Sequence, residues 1–112
     1  MHDRLSRLSS REVALLQSLG PHTRAHVLQL LSAVPDLTLT SARRTPSRNR
    51  QVGGAPRSFH LAGRAADFTG PERALQAGHR FARKARVGSR CTGPEEALIH
   101  NAGSGRHLHV AW

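Results

Sequence analysis

Ser58-Phe59-His60-Leu61-Ala62-Gly63-Arg64-Ala65-Ala66-Asp67 is followed, about forty residues on, by Arg106-His107-Leu108-His109-Val110-Ala111-Trp112. These two stretches decide how the chain is read. The second has the composition of a strand, and on a strand residues two apart share a face. His107 and His109 therefore face one side, and Leu108 and Val110 the other. In the first stretch, Gly63 permits a tight turn that brings His60 back over Asp67 at the start of the next strand. A lone His-x-His or a lone aspartate after two alanines carries little. Taken together, with the small Ala65 and Ala66 between, they supply imidazoles and one carboxylate. Two imidazoles and one carboxylate are a common catalytic zinc set, with a fourth position left open for water. Zinc is the default metal for that mixture of donors.

Working outward, Ser9 and Glu12 fit a capping box ahead of Val13, Leu15, Leu16 and Leu19, with Gly20 as the expected stop. Pro21 suits the first position of a second helix that carries Leu28, Leu30, Leu31 and Val34 and ends at Pro35. Residues 37–41 alternate as a strand does. Residues 42–58, rich in Arg, Pro and Gly, read as an ordered loop with room for one helical turn. A second strand is expected over 64–68, a helix over 72–85, and a hairpin of 96–100 with 107–112 turning around residues 101–105. The order predicts an α+β fold, a small antiparallel sheet with helices packed on one side. The whole of 1–112 reads as a single domain, with a helical part over 1–34 and the motif-bearing part over 37–112.

Leu, Ile, Val and Phe make up only about a fifth of the 112 residues, and the net charge is +10. That apolar share is close to the level at which a charged chain stays unfolded. No apolar run approaches the ~20 residues of a membrane span. The first 12 residues are too polar for a secretory signal. A single cysteine, Cys91, excludes an internal disulfide framework and is assigned no role. Of the 17 basic residues all but Lys84 are arginine, densest at Arg80, Arg83, Lys84, Arg86 and Arg90. Such charge suits an anionic partner, nucleic acid or an anionic cell envelope. The near absence of aromatic residues counts against single-strand nucleic-acid binding. His22 and His26, four apart on a helix, lack the glutamate of a His-Glu-x-x-His motif and read as surface or packing residues.

The pattern Ser58-x-His60-x-x-Gly63-x-Ala65-x-Asp67 with a later His107-x-His109 resembles the LAS zinc peptidases. These include D-Ala-D-Ala carboxypeptidases, phage L-alanyl-D-glutamate endopeptidases and the signalling domain of hedgehog. Residues 41–54, with Arg44, Pro46, Asn49, Gly53 and Gly54, are similar to a further segment of that family. The resemblance covers residues 37–112. It implies a hedgehog-like fold, with His60, Asp67 and His109 as zinc ligands and His107 beside the metal-bound water. Arg44 would hold a substrate carboxylate or the developing oxyanion, and Ser58 would donate or accept a hydrogen bond nearby.

The implied activity is zinc-dependent hydrolysis of peptidoglycan stem peptides, at D-Ala-D-Ala or L-Ala-D-Glu, by a phage-type lysis or tail-associated enzyme. Such an enzyme would be made in the cytoplasm and reach the cell wall through a holin or a virion. Two departures stand out. Arg106 occupies the place, three before the last ligand, where many relatives carry an acid. Ile99 is followed by His100 rather than by a glutamate, leaving Glu95 and Glu96 as the only acids nearby. His107 would then serve alone as acid and base. The alternative is a zinc-stabilised binding domain of the same fold without catalysis. A third reading, a basic nucleic-acid-binding protein, rests on charge alone.

Overall fold

Four strands form one antiparallel sheet in the order β1-β2-β4-β3: β1 (Thr38–Ser41), β2 (Ala65–Thr69), β3 (Glu96–Ala102) and β4 (Gly105–Ala111). The coordinates are a computed structural model and describe residues 3–84, 94, 96–102 and 105–112. Cys91, Glu95, His2, Gly103, Ser104 and the basic Arg86 and Arg90 lie outside the described residues.

The architecture is the α+β arrangement that the element order predicts. Alternation decides which face is which. Leu39 pairs with Phe68, Phe68 with Leu108, and Ala66 with Val110, and all five side chains are buried against helices. Asp67 pairs with His109 on the opposite face. A bulge between Leu39 and Ser41 lets β1 keep Leu39 in the core while Ser41 stands across from Asp67.

The helices are α1 (Ser10–Gln17), α2 (Pro21–Ala33), α3 (Pro46–Gln51) and α4 (Glu72–Lys84). The capping box is present: Ser9 Oγ accepts from Glu12 N–H and Glu12 Oε1 accepts from Ser9 N–H. The first helix ends at Gln17, before the expected stop, and Gly20 instead caps α2 with Pro21 at its first position. α2 and α4 cover the sheet through Val27, Leu30, Leu31, Ala74, Leu75 and Ala82. Gly78 allows the closest approach of α4, because a Cβ there would sit 2.8 Å from side-chain atoms of both Leu108 and Leu37. The loop over 42–58 carries α3, whose start is capped by Thr45 Oγ1 accepting from Arg48 N–H.

Two features are not visible as sequence patterns. A 3-10 turn, Arg4–Arg7, precedes α1. From it Arg4 reaches inward, donating to Glu12 Oε2 at 2.6 Å and to the carbonyls of Pro35 and Leu37. Glu12 Oε2 also accepts from Leu39 N–H at 3.1 Å, so the pair fastens α1 along β1 at the edge of the sheet. The final hairpin is tighter than the expected turn. Asn101 pairs with Arg106 and Ala102 with Gly105, which extends both strands past the predicted ends.

Candidate metal centre

His60 sits in a 3-10 turn, Phe59–Ala62, that the sequence sets up at both ends. Ser58 Oγ accepts from His60 N–H at 3.2 Å and caps the start. Gly63 takes the left-handed conformation, φ 68°, and closes the end with its N–H on the His60 carbonyl. The His60 carbonyl also accepts from Arg44 N–H. The ring is thus delivered to the sheet with little freedom. It is 2% exposed, and Nδ1 lies 2.6 Å from the Ala42 carbonyl. A carbonyl can only accept, so the proton belongs on Nδ1. The other ring nitrogen, Nε2, is buried and faces Asp67 Oδ2 at 3.2 Å with no hydrogen bond made. A buried ring nitrogen without a hydrogen bond, beside a carboxylate, is a place where a cation fits.

Asp67 is the hub. Its Oδ1 accepts from His109 Nδ1 at 2.8 Å, and its Oδ2 lies 3.3 Å from Arg44 Nη2. Burial pushes the Asp67 carboxyl up, but the imidazoles of His109 and His60 outweigh it and hold it well below the usual carboxylate range. His109 has a second carboxylate at its far nitrogen, Glu96 Oε1 at 2.9 Å from Nε2. Burial lowers the His109 pKa, yet Asp67 and Glu96 together raise it above the ordinary histidine value. The donor atoms of His60, Asp67 and His109 lie within 4.8 Å of one another, and they are the one such group among the described residues. Two imidazoles and a carboxylate are the donors zinc prefers. With His60 Nε2 buried and unbonded, this donor set fits a metal ion.

The other expected residues are placed as follows. Arg44 stands at the centre, bridging Asp67 Oδ2 and Asn49 Oδ1. Asn49 is itself buried and anchored by Nδ2–H on the Ala55 carbonyl. A groove lined by Ser18, Arg43, Arg44, Thr45, Pro46 and Leu61 runs beside it. His107 lies on the face of His109, as strand spacing predicts, but outside the three-residue cluster. Its ring is 6.2 Å from His100, which in turn is 6.1 Å from His109. His107 Nδ1 is buried and makes no hydrogen bond. Burial lowers the His100 pKa. His22 and His26 are elsewhere, with Nε2 atoms 3.3 Å apart and His26 stacked on Trp112 at 5.0 Å, which agrees with a packing role.

A family model described as Peptidase M15 matches residues 17–102. The chain belongs to the peptidase M15 family. The family is zinc-dependent, and its members are peptidases. The match includes Arg44, Ser58, His60, Asp67 and Glu96 and stops short of His107 and His109. No curated protein and no solved structure matches the chain. Glu96 is the site residue that sequence reading set aside. Its signal is register: Glu96 pairs with Ala111, two residues from His109 on the same strand.

Proposed function

We propose that this M15 chain is a zinc-dependent peptidase that hydrolyses peptide bonds of the peptidoglycan stem, at D-Ala-D-Ala or L-Ala-D-Glu. The observation that carries the reading is the buried, unpartnered His60 Nε2 facing Asp67 beside His109. His60, Asp67 and His109 would hold the metal. Zinc supplies Lewis acidity, polarising a scissile carbonyl and lowering the pKa of a water toward ~7. Arg44, fixed by Asn49 and Asp67, keeps guanidinium N–H groups for a substrate carboxylate or a developing oxyanion. His107, on the same strand face as His109, would take the proton of the attacking water and return it to the leaving amine. The +10 charge favours approach to an anionic cell envelope.

Digestion of isolated peptidoglycan with mass spectrometry of the released muropeptides tests the proposal. Cleavage lost with a chelator, restored by zinc and absent in His109→Ala supports it. Intact cleavage by His109→Ala sinks it. A second reading, a zinc-stabilised binding domain, is favoured by one observation: Glu96, the acid nearest the centre, is occupied at His109 Nε2. That reading predicts stoichiometric zinc with no change in the muropeptides.

A further inference from the structure

The two imidazoles of the cluster are held alike. Each turns one nitrogen to Asp67 and the other to an acceptor behind it. For His60 the rear acceptor is the Ala42 carbonyl on Nδ1, and the forward atom is Nε2. For His109 the roles of the two nitrogens are exchanged, with Nδ1 forward and Glu96 behind Nε2. A metal-binding imidazole must present a lone pair, so its remaining proton has to sit on the opposite nitrogen. An acceptor placed there fixes both the tautomer and the tilt of the ring, and makes the ring a better donor.

We infer that Glu96 is the positioning residue of His109, accepting its Nε2–H so that Nδ1 is the atom offered to the metal. The inference rests on the zinc reading above and deepens it. Glu96 reaches this place through strand pairing. It opens β3 opposite Ala111, on the face of the sheet that carries His109. The Ala42 carbonyl is backbone and invariant to substitution, whereas Glu96 is a half-exposed side chain at a strand end. The His109 half of the centre is therefore the half that a substitution can loosen without disturbing the core.

Zinc affinity of the full chain, measured by competition with a chromogenic chelator, tests this. Glu96→Ala is expected to weaken zinc binding about 10- to 100-fold. Glu96→Gln, whose amide oxygen still accepts the same N–H, is expected to stay within about threefold of the parent chain. In imidazole nitrogen–proton spectra of the zinc-loaded chain, the His109 proton should be on Nε2 in the parent and in Glu96→Gln. Melting of the metal-free variants should match the parent. Parent-like zinc affinity in Glu96→Ala overturns the inference, as does Glu96→Gln binding as weakly as Glu96→Ala. Those results leave the peptidase reading standing, whereas failure of the parent chain to bind zinc removes both.

Discussion

Among the described residues, the Arg4–Glu12 pair and the His60–Asp67–His109 cluster both lie largely buried, and they are built on opposite terms. The Arg4–Glu12 pair is complete. Glu12 accepts from Arg4, Ser9 and Leu39, and Arg4 donates to Glu12 and to the carbonyls of Pro35 and Leu37. The His60–Asp67–His109 cluster is incomplete, because His60 Nε2 faces a carboxylate and bonds to nothing. Desolvating charge is costly, and the cost is recovered only when every donor and acceptor is matched. The first cluster meets that condition within the protein and is a fastening. The second leaves one buried nitrogen unmatched, and that is the ground on which we propose it as a metal site.

The contrast is most strongly challenged by Glu12→Ala. Leaving Arg4 buried without its carboxylate should cost about 3–5 kcal/mol in denaturant unfolding. Zinc affinity should be unchanged. A loss below about 1 kcal/mol would mean that the pair contributes no more than a surface ion pair. Next in size is the response to metal. Free zinc at 100 times its dissociation constant should raise the stability of the parent chain by about 2.7 kcal/mol. In Asp67→Ala the same addition should do nothing, and equal stabilisation there would place the metal elsewhere.

The smallest effect is on acid stability. Burial raises the Glu12 pKa, but the N–H groups of Ser9 and Leu39 and the Arg4 guanidinium bring it below its ordinary value of 4.5. The unfolded chain therefore binds the Glu12 proton first as pH falls. The stabilisation is present above 4.5 and is lost as pH drops from there toward the lower folded value. Thermal melts of Glu12→Gln should lack that component of the acid decline. A variant that tracks the parent across the window would refute it.

Much of the site could be read from sequence because its determinants are local. His60 and Asp67 are tied by a capped turn, with Ser58 before and Gly63 after. His107 and His109 share a face by strand alternation alone. The helices likewise follow from a capping box and a well-placed proline. What stayed hidden depends on which distant segments meet. Glu12 reads as a cap, and only the position of β1 reveals that it also serves Leu39 and Arg4. Glu96 sits where strand register puts it, and nothing in residues 94–100 fixes that register in advance. Stacking of His26 on Trp112 joins residues from opposite ends of the sequence.

The turn at Gly63 has a consequence for shortening the molecule. Its carbonyl accepts from Gly20 N–H at 3.1 Å, and a Cβ there would lie 3.2 Å from the Ser18 carbonyl. Ser18 Oγ in turn accepts from Arg43 N–H, beside the segment that carries Arg44. The junction between α1 and α2 is thus the wall against which the His60 turn is cast. A fragment beginning at residue 37 would keep all the residues implicated in the chemistry. It would lose the surface that holds one of them at its angle, so the helical third of the chain is tooling for the site as well as ballast for the core.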